Sequence, residues 1–247
     1  MSAKSLRIVI CVNHFAPSIG GCEYVTEKIA RHFADCGHEV IVLTRRISKR
    51  KPEDYKPIQI IDYYQANSVD FQRKLIGLKA DVILVYSDVF DFFRTVITME
   101  GSHRLFIALC GANWIYKNRN YANTFYRQSN RIEKLICHSK FDRDYKFCSG
   151  KLSDKTVVIP NGIDLVDFDS NKITRTEFLN NNNLDPKFAD LRWILNVANF
   201  FPGKGQEHLI KILYQSDLED IVYLQFASDV EFDLGKQLEI QWLNNSR

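Results

Sequence analysis

The 247-residue sequence contains no C-x-x-C pair and no finger-type cysteine spacing, which excludes zinc-finger modules and small disulfide scaffolds. Its six cysteines, Cys11, Cys22, Cys36, Cys110, Cys137 and Cys148, are scattered, and several sit inside apolar runs as small hydrophobes do. Reduced thiols in a cytoplasmic setting are therefore expected. No apolar stretch reaches the roughly 18 residues that a spanning helix needs. The opening MSAKSLRIVICV holds one short apolar run leading straight into a loop, so it reads as a buried strand and not as a leader peptide. The balance of 33 basic and 30 acidic residues, net +3, is too even for a nucleic-acid surface. There is no short-period repeat, no G-x-G-x-x-G and no P-loop ending in Gly-Lys-Ser or Gly-Lys-Thr. No Ser-His-Asp or Cys-His nucleophile motif is visible; Cys137 and His138 are sequence neighbours that a strand points to opposite faces.

What is present is an alternation. Apolar runs of strand length, LRIVICV, EVIVLT, DVILVYS, RLFIALC, KLICHS, KTVVIP, WILNVANF and IVYLQFA, are separated by helix-period segments such as VTEKIARHFADC, DFFRTVITM and YRQSNRIEKLI. Unbroken apolar runs mark strands covered on both faces, so the expected fold is α/β with a doubly wound parallel sheet. VVIPNGIDLVDFDS breaks this pattern with a proline and an Asn-Gly turn and reads as a hinge. It separates a complete unit, 1–165, from a segment, 166–247, with two convincing strands, the start of a second domain. NNNNLD, 180–185, reads as an exposed loop after a helix beginning near Thr174.

Two glycine loops follow strands and open helices. In PSIGGCEY, Gly20 and Gly21 precede a helix whose N-terminal N–H groups favour an anion; the plainer alternative is a tight strand-to-helix corner. In NVANFFPGKGQEHLIKIL, Lys204 stands between Gly203 and Gly205 at a helix N-terminus. A cation there suits a diphosphate and gains nothing from the helix dipole.

PSIGGCEYVTEKIARHFADCGHEVIVLT, KLICHSKFDRDYKF, DKTVVIPNGIDLVDF and ILNVANFFPGKGQEHLIKIL resemble, in order and spacing, landmarks of the family 4 retaining glycosyltransferases of GT-B fold. The resemblance covers nearly the whole chain. It implies two Rossmann-like domains, the second incomplete here, and sugar transfer with retention from a nucleotide-sugar, a UDP- or GDP-sugar, to a glycan or lipid-linked acceptor. It implies an acceptor in the first domain, a donor held mainly by the second, no required cofactor and no metal. Carried over by position, Gly20 and Gly21 lie beside the donor diphosphate, and Lys204 stabilises the departing nucleoside diphosphate. Asn199 stands where relatives commonly have an arginine. Cys110, with Gly111, stands where many carry a histidine near the reacting sugar, and a buried strand-end thiol is the other reading of Cys110. His14 and Asn113 are candidates for the same acceptor cleft, with a structural role as the commoner reading of a lone histidine such as His14.

Several features fit less simply. Relatives carry two glutamates eight positions apart in the donor domain; Glu231 and Glu239 have that spacing but lie too close to Lys204, and the match is rejected. Asp142-Arg143-Asp144 and Asp167-Phe168-Asp169 have the D-x-D form of metal-dependent transferases but read as solvated carboxylates. RRISKRK, 45–51, is either a solvated loop or a basic patch for peripheral contact with an anionic membrane. The aromatic stretch NWIYKNRNYANTFYRQ reads as acceptor surface or a partner groove. An unpaired edge near Ile221 to Ala227 invites self-association. The rival to an enzyme is a catalytically incomplete homologue that works as a binding or partner subunit.

Overall fold

The computed structural model of the chain describes residues 4–48, 50–63, 69–87, 90–99, 101–110, 119–141, 152–165, 173–198, 204–216 and 220–226. Two compact units divide it, Met1–Gly162 and Ile163–Arg247, with the boundary inside the PNGID turn.

The first unit runs β1 (Arg7–Val12), α1 (Gly21–Asp35), β2 (Glu39–Arg45), β3 (Gln59–Tyr63), α2 (Val69–Gly77), β4 (Val82–Ser87), α3 (Phe90–Thr98), β5 (Arg104–Leu109), α4 (Arg119–Arg127), β6 (Ile132–Cys137) and β7 (Thr156–Val158). The seven strands form one parallel sheet in the order β3-β2-β1-β4-β5-β6-β7. β1 sits between β2, with Arg7 opposite Glu39, and β4, with Ile8 opposite Val82. Strand order reverses between β1 and β4, so the loops after these two strands diverge and leave a crevice at their carboxyl ends.

The side-chain period of two sorts the strands into two cores. Val9, Cys11, Ile41, Leu43, Ile83, Val85, Ile107 and Leu109 meet α2, α3 and α4 through Phe71, Leu75, Phe92, Phe93, Val96 and Phe125. Ile8, Ile10, Val12, Val40, Val42, Leu84, Tyr86 and Ala108 pack on the other face against Ala30, Ile29 and Phe33 of α1 and against Phe15 and Tyr55. Burial of both faces is why these strands read as unbroken apolar runs.

Two expectations need correction. YRQSNRIEKLI is not one helix: α4 ends at Arg127, a 3-10 turn covers Ser129–Arg131, and β6 starts at Ile132. Ile132, Leu135 and Cys137 are each needed in the core, and the Lys155 ammonium closes the turn by donating to the carbonyls of Ser129 (2.9 Å) and Ile132 (2.7 Å). In addition, β3, QIIDY, is absent from the apolar runs picked out by eye. It pairs with β2 alone, and its residues before Tyr63 are only partly buried or exposed, so its signal is diluted.

The second unit contains α5 (Arg175–Asn181), β8 (Arg192–Val197), α6 (Gln206–Gln215) and β9 (Ile221–Phe226). β8 and β9 are parallel, with Trp193 opposite Val222, and α6 is the crossover between them. Thr174 starts α5 with a reciprocal cap: its hydroxyl accepts from the Glu177 N–H, and the Glu177 carboxylate accepts from the Thr174 N–H at 2.7 Å. That is why a helix begins where the sequence placed one. Phe178 of α5 packs on Trp193 and Phe226.

Candidate functional site

Parallel strands deliver all their following loops to one edge. In the first unit that edge carries Asn13 and His14 after β1, the end of β4 at Tyr86, Cys110 after β5, His138 after β6 and Ile159–Asn161 after β7. Gly20 and Gly21 close the β1–α1 loop.

The glycine pair answers to neither requirement of a tight corner. Gly20 is extended, with φ 179, and Gly21 is the first residue of α1; neither occupies the left-handed region that favours glycine. A Cβ on Gly21 would meet nothing within 4 Å, and one on Gly20 would meet first the movable Glu23 carboxylate. No side chain caps α1, so its positive end faces outward with the Glu23 carboxylate folded over Gly20.

What fixes this loop is Arg50. Its side chain is 1% exposed. The guanidinium donates from Nε to the Ala16 carbonyl (2.9 Å), from Nη2 to that of Phe15 (3.3 Å), and from Nη1 to the Arg45 carbonyl (3.1 Å) and Asp62 Oδ1 (2.6 Å). One planar fork thus ties the β1–α1 loop to the ends of β2 and β3. The basic run 45–51 is therefore not uniformly solvated: Arg50 turns inward, while Arg45, Arg46 and Lys51 are exposed.

On the α1 side of the sheet, four polar groups converge. The His138 ring has Nδ1 3.3 Å from the Ile159 carbonyl and Nε2 3.2 Å from the Tyr86 hydroxyl and 3.4 Å from Cys110 Sγ. The Tyr86 hydroxyl donates to Asn161 Oδ1 at 3.1 Å. Burial, and then the neighbouring Cys110, push the Tyr86 phenol well above its ordinary range, so it stays protonated. Cys110 is half-buried and in contact with His138, whereas Cys11 and Cys137 are buried in the sheet. His138, Tyr86, Asn161 and Arg50 escaped the sequence reading. The signal for His138 was present in KLICHS: once Cys137 is buried on one face, the next residue falls on the other, at the strand's carboxyl end.

His14 is half-buried, and among the described residues none hydrogen-bonds to it, so the structure does not join it to Cys110. In the second unit, Lys204 is exposed and directly precedes Gly205, the N-cap of α6, which adopts φ 81. Here glycine is required by the backbone. Asn113, Asn199, both D-x-D pairs, Glu231 and Glu239 lie outside the described residues. Among the described residues no group of three or more His, Cys, Asp or Glu side chains could hold a metal, and no helix is long and apolar enough to cross a membrane.

Comparison with known proteins adds the following. The fold is similar to that of HepE from Anabaena, solved with UDP-glucose, at 17% identity and a TM-score of 0.73, covering 97% of this chain and 66% of that one. A glycosyltransferase from Rickettsia africae is similar at 15% identity and TM-score 0.66, over 98% of this chain and 66% of that one. WaaG, a glycosyltransferase involved in lipopolysaccharide biosynthesis, is similar at 17% identity and TM-score 0.65, over 95% and 68%. This chain thus spans about two thirds of their lengths. No curated protein sequence matches it. The sequence profile of Glycosyltransferase Family 4 matches residues 19–167, from the loop that holds Gly20 and Gly21 to just beyond the PNGID turn. That is more than half of the sequence, and the chain belongs to this family.

Proposed function

We propose that the protein is a glycosyltransferase of the hexosyltransferase type that moves a sugar from a nucleotide-sugar, a UDP- or GDP-sugar, to a glycan or lipid-linked acceptor with retention of configuration. One observation carries the reading. The glycine pair lies beside the strand-order reversal of a parallel sheet, with open space over Gly21 and no demand from the turn itself. A backbone kept bare without a conformational reason suits close approach by a ligand. HepE, of like fold, is solved with UDP-glucose, which fits a nucleotide-sugar donor.

In this reading Gly20 and Gly21 offer backbone N–H groups to the diphosphate. Asn199 and Lys204 do the same from the second unit, where the ammonium beside the N-terminus of α6 meets the charge that grows as the nucleoside diphosphate departs. These groups supply the positive charge, so the transfer calls for neither metal nor cofactor. The acceptor lies along the carboxyl edge of the first unit, near His14, Cys110 and Asn113. Arg45, Arg46 and Lys51 form the surface through which a lipid-linked acceptor's membrane is approached. The β9 edge, beside exposed Leu195 and Val197, is the surface for self-association.

The test is to incubate the chain with UDP- and GDP-sugars and a panel of glycan and lipid-linked acceptors, reading product by mass spectrometry and anomeric configuration by proton NMR. Product with the donor's configuration is expected. Inverted product would keep transfer and overturn retention. No product and no donor binding would overturn the enzyme reading and favour the partner-subunit alternative.

A further inference from the structure

The Tyr86–Cys110–His138–Asn161 cluster holds a thiol and an imidazole in contact, and nothing in the transfer reading uses that pair as a nucleophile. With the Nδ1 hydrogen donated to the Ile159 carbonyl, His138 Nε2 is an acceptor. The Tyr86 hydroxyl hydrogen is directed to Asn161 Oδ1. The Cys110 S–H then has two acceptors in reach, His138 Nε2 at 3.4 Å and the Ala108 carbonyl at 3.7 Å, and the imidazole is the nearer and the only base of the two. A thiol whose proton has a neighbouring base, and a base oriented by a third group, is the arrangement of an activated nucleophile.

We propose that Cys110, with His138 as its proton acceptor, is a nucleophilic modification site for soft carbon electrophiles of the α,β-unsaturated carbonyl class. In the step, His138 Nε2 takes the thiol proton and Cys110 Sγ bonds to the β-carbon. The C=C π pair moves to the α-carbon, which takes the proton back from His138. Nothing leaves, and no oxidant is consumed. The groups at the thiol include the His138 ring, the Tyr86 hydroxyl and the Ala108 carbonyl at 3.7 Å. Cys22 of α1 acts electrostatically on Tyr86 from the same face. An adduct obstructs the carboxyl edge at the end of β5, where the transfer reading places the acceptor, a consequence that rests on that reading; the chemistry of the thiol does not.

The probe is N-ethylmaleimide on the full chain, with labelling rates resolved cysteine by cysteine by peptide mass mapping across pH 5–9. Cys36 is the demanding control: it is exposed and has its own imidazole, His32 Nε2, at 3.7 Å. Cys110, although half-buried, is expected to label about tenfold faster than Cys36 near pH 6.5, with a rate that levels off below the ordinary thiol range of about 8.5. His138→Gln should slow Cys110 about tenfold and leave Cys36 unchanged. A parent Cys110 rate below that of Cys36, or one climbing about tenfold per pH unit up to about 8.5, would overturn the proposal without any variant. An unchanged Cys110 rate in a folded His138→Gln protein would overturn it as well. None of these readings depends on sugar transfer, so their failure is distinct from failure of the transfer assay.

Discussion

Arg50→Met removes the buried guanidinium that binds the β1–α1 loop to the neighbouring strand ends, beyond the weaker contacts of Thr44 and Tyr63 to Asn13, while keeping its apolar volume. Four acceptors lose a donor: the carbonyls of Phe15, Ala16 and Arg45, and Asp62. Breaking a buried pair from one side costs about 3–5 kcal/mol. Asp62 keeps a third of its side chain exposed and rehydrates in part, which lowers that figure. The Phe15 carbonyl keeps the Ser18 N–H at 3.2 Å, but the Ala16 carbonyl belongs to a buried residue, and an unsatisfied buried acceptor costs about 1–3 kcal/mol. We expect a net loss of about 3 kcal/mol, which for a unit of this size lowers Tm by about 6–12 °C. Arg50→Lys keeps the charge but not the fork and should fall between parent and Arg50→Met. Scanning calorimetry gives the stability, and amide exchange over residues 15–24 gives the loop: in Arg50→Met these amides should exchange faster than those of β1. A Tm within 2 °C of the parent with unchanged exchange would show that the loop holds its shape without Arg50.

Gly21→Val should leave Tm almost unchanged, because the added side chain enters open space at a position with no left-handed requirement, yet donor affinity should fall at least about tenfold; a large Tm loss with intact affinity would return the glycine to a structural role. Lys204→Ala should reduce transfer about 30- to 1,000-fold with the fold intact, as expected for loss of a charge aimed at a leaving group, and full activity would remove Lys204 from the site. His103 is held below its ordinary pKa by burial and, second, by Arg131, and its Nε2 is buried without a partner. The unfolded chain therefore binds this proton first: stability is complete above about pH 6.5 and declines as pH falls towards the lower folded value. His103→Gln should flatten the Tm profile between about pH 5 and 7.5, and an unchanged slope would assign that decline to other groups.

The sheet was legible because its strands are buried on both faces, so LRIVICV, EVIVLT and DVILVYS announce themselves as unbroken apolar runs. β3 was not, because QIIDY pairs with β2 alone and its apolar residues are only partly buried. The start of α5 was legible because Thr174 and Glu177 form a local cap, a signal confined to four residues. The candidate residues that sequence offers for a site are those whose chemistry is written locally, the glycine loops and Lys204. Arg50 looked like one cation in a surface run, because its partners lie 34 and 35 residues earlier at Ala16 and Phe15 and 12 residues later at Asp62. The Cys110–His138 contact joins residues 28 apart through the register of β5 and β6, which no spacing rule exposes. Cys110 was weighed between a buried thiol and a site residue, and the structure gives it a hydrogen-bonded position beside His138.

The central claim is that a nucleotide-sugar diphosphate is received at glycine-opened helix ends, and amide chemical shifts of the glycines report on it directly. Titration of the isotopically labelled chain with UDP- and GDP-sugars should move the Gly20, Gly21 and Gly205 amides together with that of Lys204, saturating with a dissociation constant of about 1 mM or weaker, roughly 4 kcal/mol. Gly37 and Gly77, at the far ends of α1 and α2, should stay fixed. Shifts that leave Gly20, Gly21 and Gly205 unmoved at saturating donor would contradict the account.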